Sequence, residues 1–200
     1  MDADAVEIRV LGCLIEKQRT TPVAYPLSLN SLRLACNQAT SREPVVDYDE
    51  ATIRAALERL SRRGWVRLAS GAGSRAVKYR HLLDSALTLD RAELSLLAVL
   101  MLRGPQTPGE LKQRTERLHP FEAGEVEATL RRLGERELTT RLFRRPGQKE
   151  ERYVQLLGEQ DQGQPPPEPE PVPASSSLEE RVARLEKEVA RLRDEIAGRC

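Results

Sequence analysis

Residues 7–15, EIRVLGCLI, return 86 positions later as residues 93–101, ELSLLAVLM. The match is apolar for apolar: Ile8 falls on Leu94, Val10 on Leu96, Leu11 on Leu97, Leu14 on Leu100 and Ile15 on Met101, with Glu7 on Glu93. Spacings of three and four put such residues on one side of a helix, which predicts helices from Val6 to Gln18 and from Ala92 to Arg103. The correspondence runs on through Thr21-Pro22 onto Thr107-Pro108. Farther along, at a shift of 73, Ile53, Leu57 and Leu60 fall on Val126, Leu130 and Leu133. With one more residue in the second hairpin, Tyr79, Leu82 and Leu83 fall on Tyr153, Leu156 and Leu157. Two tandem copies of one small unit is the economical reading, the second 13 residues shorter between those anchors.

Each copy carries the same elements in the same order. A second helix is expected over Ser28 to Asn37 and over Pro108 to Arg117, and a third over Asp49 to Arg63 and Glu122 to Arg136. Thr107-Pro-Gly-Glu110 is a helix start: the Thr side chain can accept from an orphan backbone N–H, Pro108 suits the first turn, and Glu110 can reach back. Asp90-Arg-Ala-Glu93 repeats that spacing. Two short strands around a turn close each copy. Trp65 to Leu68 is matched with Val77 to Leu82, and Thr139 to Phe143 with Arg152 to Leu156. Three helices and a hairpin are the winged helix-turn-helix plan. The expected fold is mainly α with small β-hairpins: two tandem winged-helix domains, 1–84 and 85–157, with Trp65 closing the first core where helix meets hairpin.

The composition breaks after Leu157. Residues 158–177, GEQDQGQPPPEPEPVPASSS, are rich in proline and hold almost nothing apolar, so they read as an extended, semi-rigid linker. Residues 178–200 form a third segment, in which Leu178, Val182, Leu185, Val189, Leu192 and Ile196 are spaced 4, 3, 4, 3, 4. Leu at every d position with a β-branched residue at every a position favours a parallel two-stranded coiled coil. In such a pair Arg181 faces Glu186 of the other strand and Glu188 faces Arg193, so a homodimer joined by this helix is expected, against a lone helix docking on the body or on another protein.

The strings Val10 to Gln18, Tyr25 to Gln38, Ser41-Arg-Glu-Pro-Val45 and Leu102-Arg-Gly-Pro-Gln-Thr-Pro-Gly-Glu-Leu111 resemble the YceH-like family of bacterial proteins. The resemblance covers roughly residues 5–157 in long contiguous strings. It implies a bacterial, cytoplasmic protein with two winged-helix domains, and implies little about activity. Members often end in a Leu-rich charged helix, as this chain does.

Several function classes are disfavoured. The longest uncharged apolar stretch, Leu94 to Leu102, is far short of the roughly 20 residues that span a bilayer. Asp2, Asp4 and Glu7 stand where a secretory signal needs basic and then apolar residues, so a membrane or exported protein is not expected. Cys13, Cys36 and Cys200, with only His81 and His119, do not make a four-ligand zinc set; Cys13 and Cys36 read as packed thiols. Gly71-Ala-Gly73 lacks the form of a phosphate loop, no serine sits in a nucleophile elbow, and neither histidine has a triad setting. No enzyme activity, cofactor or metal ion is expected.

With 32 basic and 31 acidic residues the net charge is only +1. It sums +3 over residues 1–84, +2 over 85–157 and −4 over 158–200, so an acidic tail masks a mildly basic body. In the winged-helix mode the third helix enters the major groove and the hairpin touches phosphate. The candidates for double-stranded DNA are Arg54, Arg59, Arg62 and Arg63, then Arg67, Arg75, Lys78 and Arg80 around the first hairpin. Copy two offers Arg131, Arg132 and Arg136, then Arg141, Arg144, Arg145 and Lys149. Asp49 and Glu50, and Glu122, Glu125 and Glu127, open the third helices; they suit the helix dipole but would face phosphates in a docked complex. The connection from Gln38 to Tyr48 is long for a helix-turn-helix, and Asn37, Gln38, Ser41 and Arg42 are its candidate interaction residues. A DNA-binding regulatory or architectural protein is the leading expectation, and a scaffold that binds another protein through these domains is the alternative.

Overall fold

Two helices buried on every side through much of their length set the middle of the molecule: α1 (Ala5–Thr20) and α5 (Arg91–Arg103). Every residue from Ala92 to Leu102 is buried in α5, as is every residue from Glu7 to Ile15 in α1. A helix hydrophobic all round belongs in an interior, and these two cover one another. They pack tightly at Gly12, where an added Cβ would stand 2.9 Å from the Leu102 side chain and 3.1 Å from Met101 Cβ. The structure, a computed structural model, describes residues 3–69, 77–142 and 150–159. All of them fall in one compact unit spanning residues 1–162.

The remaining elements flank this pair in a repeated order. After α1 come the two-residue strand β1 (Leu27–Ser28), α2 (Leu29–Cys36), α3 (Glu50–Arg62), β2 (Val66–Leu68) and β3 (Lys78–His81). A single turn of helix, α4 (Leu83–Ala86), leads to α5, α6 (Pro108–Thr115), α7 (Glu125–Glu135), β4 (Thr139–Leu142) and β5 (Arg152–Gln155). The protein is thus mainly helical, with a three-stranded antiparallel sheet ordered β1-β3-β2 and a two-stranded one, β4-β5. Side-chain caps start the helices where the sequence provides them. Asp4, Ser28, Asp49, Asp90 and Thr107 each accept from the backbone N–H three residues on, satisfying one orphan donor apiece. The boxes expected at Asp90–Glu93 and Thr107–Glu110 are both formed.

The copies differ at their second helices. Thr107-Pro108 opens α6, whereas Thr21-Pro22 opens only a 3₁₀ turn over Pro22–Ala24, and α2 starts later behind Ser28. The 86-residue correspondence therefore ends with the first helix. The bridge Gln106↔Tyr153 occupies in copy two the place that β1 holds beside Tyr79 in copy one. Trp65 lies where expected, 7% exposed at the α3–β2 corner, with the Arg63 guanidinium 5.7 Å from its ring centre.

The two ends of the body meet. Ala3 bridges Gly158, with Ala3 N donating to Leu157 O at 3.3 Å and Glu159 N to Ala3 O at 2.8 Å. The Gln155 amide oxygen holds the turn by accepting from Leu157 N and Gly158 N. Among the described residues no helix is long and apolar enough to cross a membrane. Gly158 and Glu159, expected to begin the linker, are thus tied to the body, while residues 160–177 and the heptad residues Leu178, Val182, Leu185, Val189, Leu192 and Ile196 lie outside the described residues.

Candidate functional site

The arginines of the third helices divide into two sets by the face they occupy. Arg59 and Arg63 turn inward. The carboxyl of Glu7, which closes the capping box with Asp4, is only 2% exposed, and a buried carboxylate is costly unless it is matched. Arg59 Nε and Arg63 Nε each stand 3.4 Å from it, and Arg59 also binds Asp4. Copy two repeats the device. Glu93 is 6% exposed, with Arg132 Nε at 3.6 Å and Arg136 Nη1 at 3.3 Å, while Arg132 reaches Asp90 at 3.1 Å. These four arginines tie helix three to the start of helix one.

Arg54 and Arg62 point the other way. Both are exposed, and among the described residues neither side chain has a hydrogen-bond or ion-pair partner. They share the solvent face of α3 with Ala55, Glu58 and Ser61. At the equivalent positions α7 presents Glu127, Ala128, Arg131, Gly134 and Glu135, so the balance of charge is inverted. The α7 face borders a groove toward β4 and β5, lined by Arg131, Thr139, Arg141 and Tyr153 among others.

The hairpins differ in the same sense. In β2–β3, Arg67 pairs directly with Arg80, and both are exposed without a carboxylate partner among the described residues. Alternation along β3 sets Lys78 on the same face, while Val66 and His81 form the buried pair on the other. Like charges directly opposite one another in a sheet repel and cost stability. In β4–β5 the matching pair is Thr140 with Val154, and Arg141 is neutralised by Glu151 at 2.9 Å. Arg75, Arg144, Arg145 and Lys149 lie outside the described residues.

The 38–48 connection is held from within. The Arg42 side chain is 0% exposed and forks onto Glu16, donating to Oε1 at 3.1 Å and Oε2 at 2.6 Å. It also donates to Ala35 O, Ser41 O and Gln38 Oε1. Burial raises the Glu16 carboxyl, but the Arg42 bonds and charge outweigh it and hold the group below the ordinary carboxylate range. Asn37 ends α2 and ties the far side of the connection, accepting from Tyr48 N at 3.0 Å and donating to Tyr48 O at 2.9 Å. Glu43 N donates to Leu102 O at 2.8 Å, so the segment reaches the end of α5. Of the four candidate residues there, Asn37, Gln38 and Arg42 bond inward, and Ser41 is exposed in a left-handed turn with φ 61°.

Two further titratable groups are withdrawn from solvent, His81 fully and Tyr25 in part. Among the described residues the carboxylate paired with His81 is Asp84, 3.8 Å from Nδ1; the ring Nε2 lies 2.7 Å from Gln18 Oε1, and burial pulls the histidine pKa down to about 4. Its backbone N–H donates to the Tyr25 hydroxyl, whose own pKa burial pushes up to about 12. Among the described residues no three His, Cys, Asp or Glu side chains converge as metal ligands would.

Comparison with known proteins places the chain. Residues 3–148 match the family model described as "Protein of unknown function, DUF480". The chain belongs to the DUF480 family. The "UPF0502 protein" of Shewanella amazonensis is 45% identical over 196 residues, covering 92% of this chain and 93% of its own length. That of Pelobacter propionicus is 49% identical over 198 residues, covering 96% and 90%, and that of Azotobacter vinelandii 52% over 156 residues, covering 78% and 69%. DUF480 membership agrees with the bacterial family resemblance read from the sequence. The family match takes in the first copy and the second as far as β4, since residues 3–148 run from α1 through β4.

Proposed function

We propose that the protein is a non-enzymatic tandem winged-helix protein of the bacterial cytoplasm. It binds double-stranded DNA as a homodimer, in a regulatory or architectural role. Copy one makes the principal contact, with Arg54 and Arg62 of α3 at the groove and the β2–β3 hairpin on phosphate. The observation that carries this reading is the Arg67–Arg80 pair: two exposed arginines directly opposite each other with no carboxylate bonded to either among the described residues. Such a pair is unfavourable alone and is relieved by an anion, and a phosphate oxygen accepts from a guanidinium fork. Arg59 and Arg63, paired to Glu7, are assigned to the fold instead of the DNA. The heptads of residues 178–196 supply the dimer contact in this proposal.

Gel-shift titration of random duplex DNA at rising salt tests it. Phosphate-led binding weakens log-linearly with salt, and removing two phosphate contacts in R67A/R80A lowers that slope by about 2. R54A/R62A is expected to weaken binding, and R144A/R145A to leave it largely intact. No shift by the wild type even at ~50 mM salt sinks the DNA reading. Solution mass with and without residues 178–200 checks the dimer; two monomeric species remove the zipper.

A second reading is favoured by the α7 face. Glu127 and Glu135 flanking Arg131 suit a protein surface better than a phosphate backbone. A scaffold that binds protein through copy two, without DNA, is the outcome that a negative gel shift promotes.

A further inference from the structure

At their third helices and hairpins the two copies carry opposite surfaces. Arg54 and Arg62 of α3 become Glu127 and Glu135 of α7, and the Arg67–Arg80 pair becomes Thr140 with Val154. The acidic pair borders a groove of about 580 Å³ between α7 and the β4–β5 hairpin, whose walls include Arg131, Arg141 and Tyr153. Glu127, Arg131 and Glu135 are exposed, and among the described residues none of the three has a hydrogen-bond or ion-pair partner. Arg141 is already bonded to Glu151 at 2.9 Å. Two unmatched carboxylates against one unmatched guanidinium leave the groove negative.

The strand side of the groove offers main-chain groups. Tyr153 exchanges both of its backbone hydrogen bonds with Gln106, donating at 2.8 Å and accepting at 3.1 Å. Its cross-strand neighbour Arg141 is therefore a non-hydrogen-bonded position of the β4–β5 ladder, with its N–H and C=O turned away from β5. The bond from Leu156 N to Leu138 O fixes the same alternation. Among the described residues no third strand lies outside β4, so these two groups stand at an open sheet edge. Thr139 shares their orientation but is only 3% exposed, which leaves Arg141 as the accessible point. On the helix side Gly134 is exposed and leaves room: a Cβ added there meets only Thr139 O, at 3.9 Å.

We propose that this groove holds an extended, basic segment of a partner protein. The segment pairs with the Arg141 main chain and sets lysine or arginine side chains, four residues apart, against Glu127 and Glu135. The dimensions agree. Glu127 and Glu135 are separated by eight helical residues, a rise of about 12 Å. Four residues of extended chain return a side chain to the same face and span about 13 Å. Main-chain bonds at a sheet edge supply affinity in such a complex, and alternate side chains supply the choice of sequence. A phosphate backbone is disfavoured, because both carboxylates would face it. The proposal rests on the assignment of copy two to a protein partner, and holds whether or not copy one binds DNA.

The probe is a blocked heptapeptide of threonine and valine with lysines at its second and sixth positions; the control carries glutamates there. Each is titrated into the full-length, isotope-labelled chain, with affinity read by fluorescence anisotropy and place by amide shifts and hydrogen exchange. The lysine peptide should bind at least about tenfold more tightly than the control, weaken with salt, and protect the Arg141 amide. Gly134→Leu, which fills the groove, and the pair Glu127→Lys with Glu135→Lys should each cost about tenfold or more in affinity while melting like the wild type. Arg141→Ala keeps the N–H and should bind at least as well as the wild type, whereas Arg141→Pro should not bind. Equal binding of both peptides with Arg141 protected overturns the basic partner and retains copy two as a peptide-binding half. No shift in α7 or β4 with either peptide at about 1 mM removes both. Random duplex DNA is the third arm: shifts at Arg141 and Glu135 with DNA and none with peptide overturn the proposal in favour of nucleic acid. The R67A/R80A gel shift reads copy one separately.

Discussion

Arg42→Met keeps the apolar stem of a buried side chain and removes its charge and donors. Five hydrogen bonds are lost, two of them to Glu16. Breaking a buried pair from one side leaves the other charge uncompensated, which costs roughly 3–5 kcal/mol. Glu16 is 16% exposed and keeps Lys17 at 3.4 Å, which sets the expectation at the lower end, about 3 kcal/mol. Adding Glu16→Leu removes the orphaned carboxylate and should restore about 1–2 kcal/mol of that loss. Urea unfolding of the wild type, both single variants and the double variant gives the cycle, provided the slopes agree. The acid side supplies a sign. In the wild type the lowered Glu16 pKa contributes stability that is full above the ordinary carboxylate value and lost as pH falls through the folded value. In R42M burial acts without Arg42 and raises that pKa, so protonation relieves the variant and the two curves converge in acid. A cost below about 1 kcal/mol, the range of an exposed pair, or a double variant equal to the sum of the singles, refutes the buried-pair account.

Three further outcomes are expected. The folded pKa of His81, about 4 against 6.5, means that the unfolded chain takes up the proton first. Stability should be full above about pH 6.5 and fall by about 3 kcal/mol toward pH 4; His81→Gln should flatten that limb, and an unchanged pH slope counts against the assignment. In Gly158→Ala the new Cβ would stand 2.1 Å from Ala3 O. The clasp should open at a cost of about 1–3 kcal/mol, seen as lost hydrogen-exchange protection of the Glu159 amide, and retained protection contradicts it. Gly12→Ala gains up to about 1 kcal/mol of helix propensity but overpacks against Leu102 by about 1–3 kcal/mol. Net destabilisation, larger still for Gly12→Val, is expected in thermal melts, and a stabilised Ala variant would show that α1 and α5 separate freely.

The helices and hairpins were legible because their signals are local. Periodicity gave α1, α3, α5 and α7 within a few residues of their ends, and Thr107–Glu110 marked the start of α6. β1 was not legible, since two residues carry no alternation, and α4 is one turn with no side-chain cap. The sorting of the arginines was harder. Arg59 and Arg62 are three residues apart on one helix, yet one meets Glu7 and the other solvent, a distinction made by packing. A signal for it was nonetheless present in the repeat. Asp4 and Glu7 recur as Asp90 and Glu93, while Arg59 and Arg63 recur as Arg132 and Arg136. Charges kept at matching places in both copies are the paired ones; Arg54 and Arg62, which become Glu127 and Glu135, are not. Arg9 and Glu16 gave no such sign, because they meet partners supplied by the connection that copy two lacks.

The central pairing of α1 and α5 bears on how the molecule can be taken apart. A cut at residue 84 looks natural from the duplication, yet it would strand Val10, Leu11 and Leu14 in one fragment and Leu96, Leu97 and Leu100 in the other, all buried in the intact chain. Each fragment would present a sticky apolar wall to water and favour self-association over independent folding. Dissection by point substitution on the outer faces of α3, α7 and the hairpins leaves that shared wall intact, and is the sounder route to assigning labour between the halves.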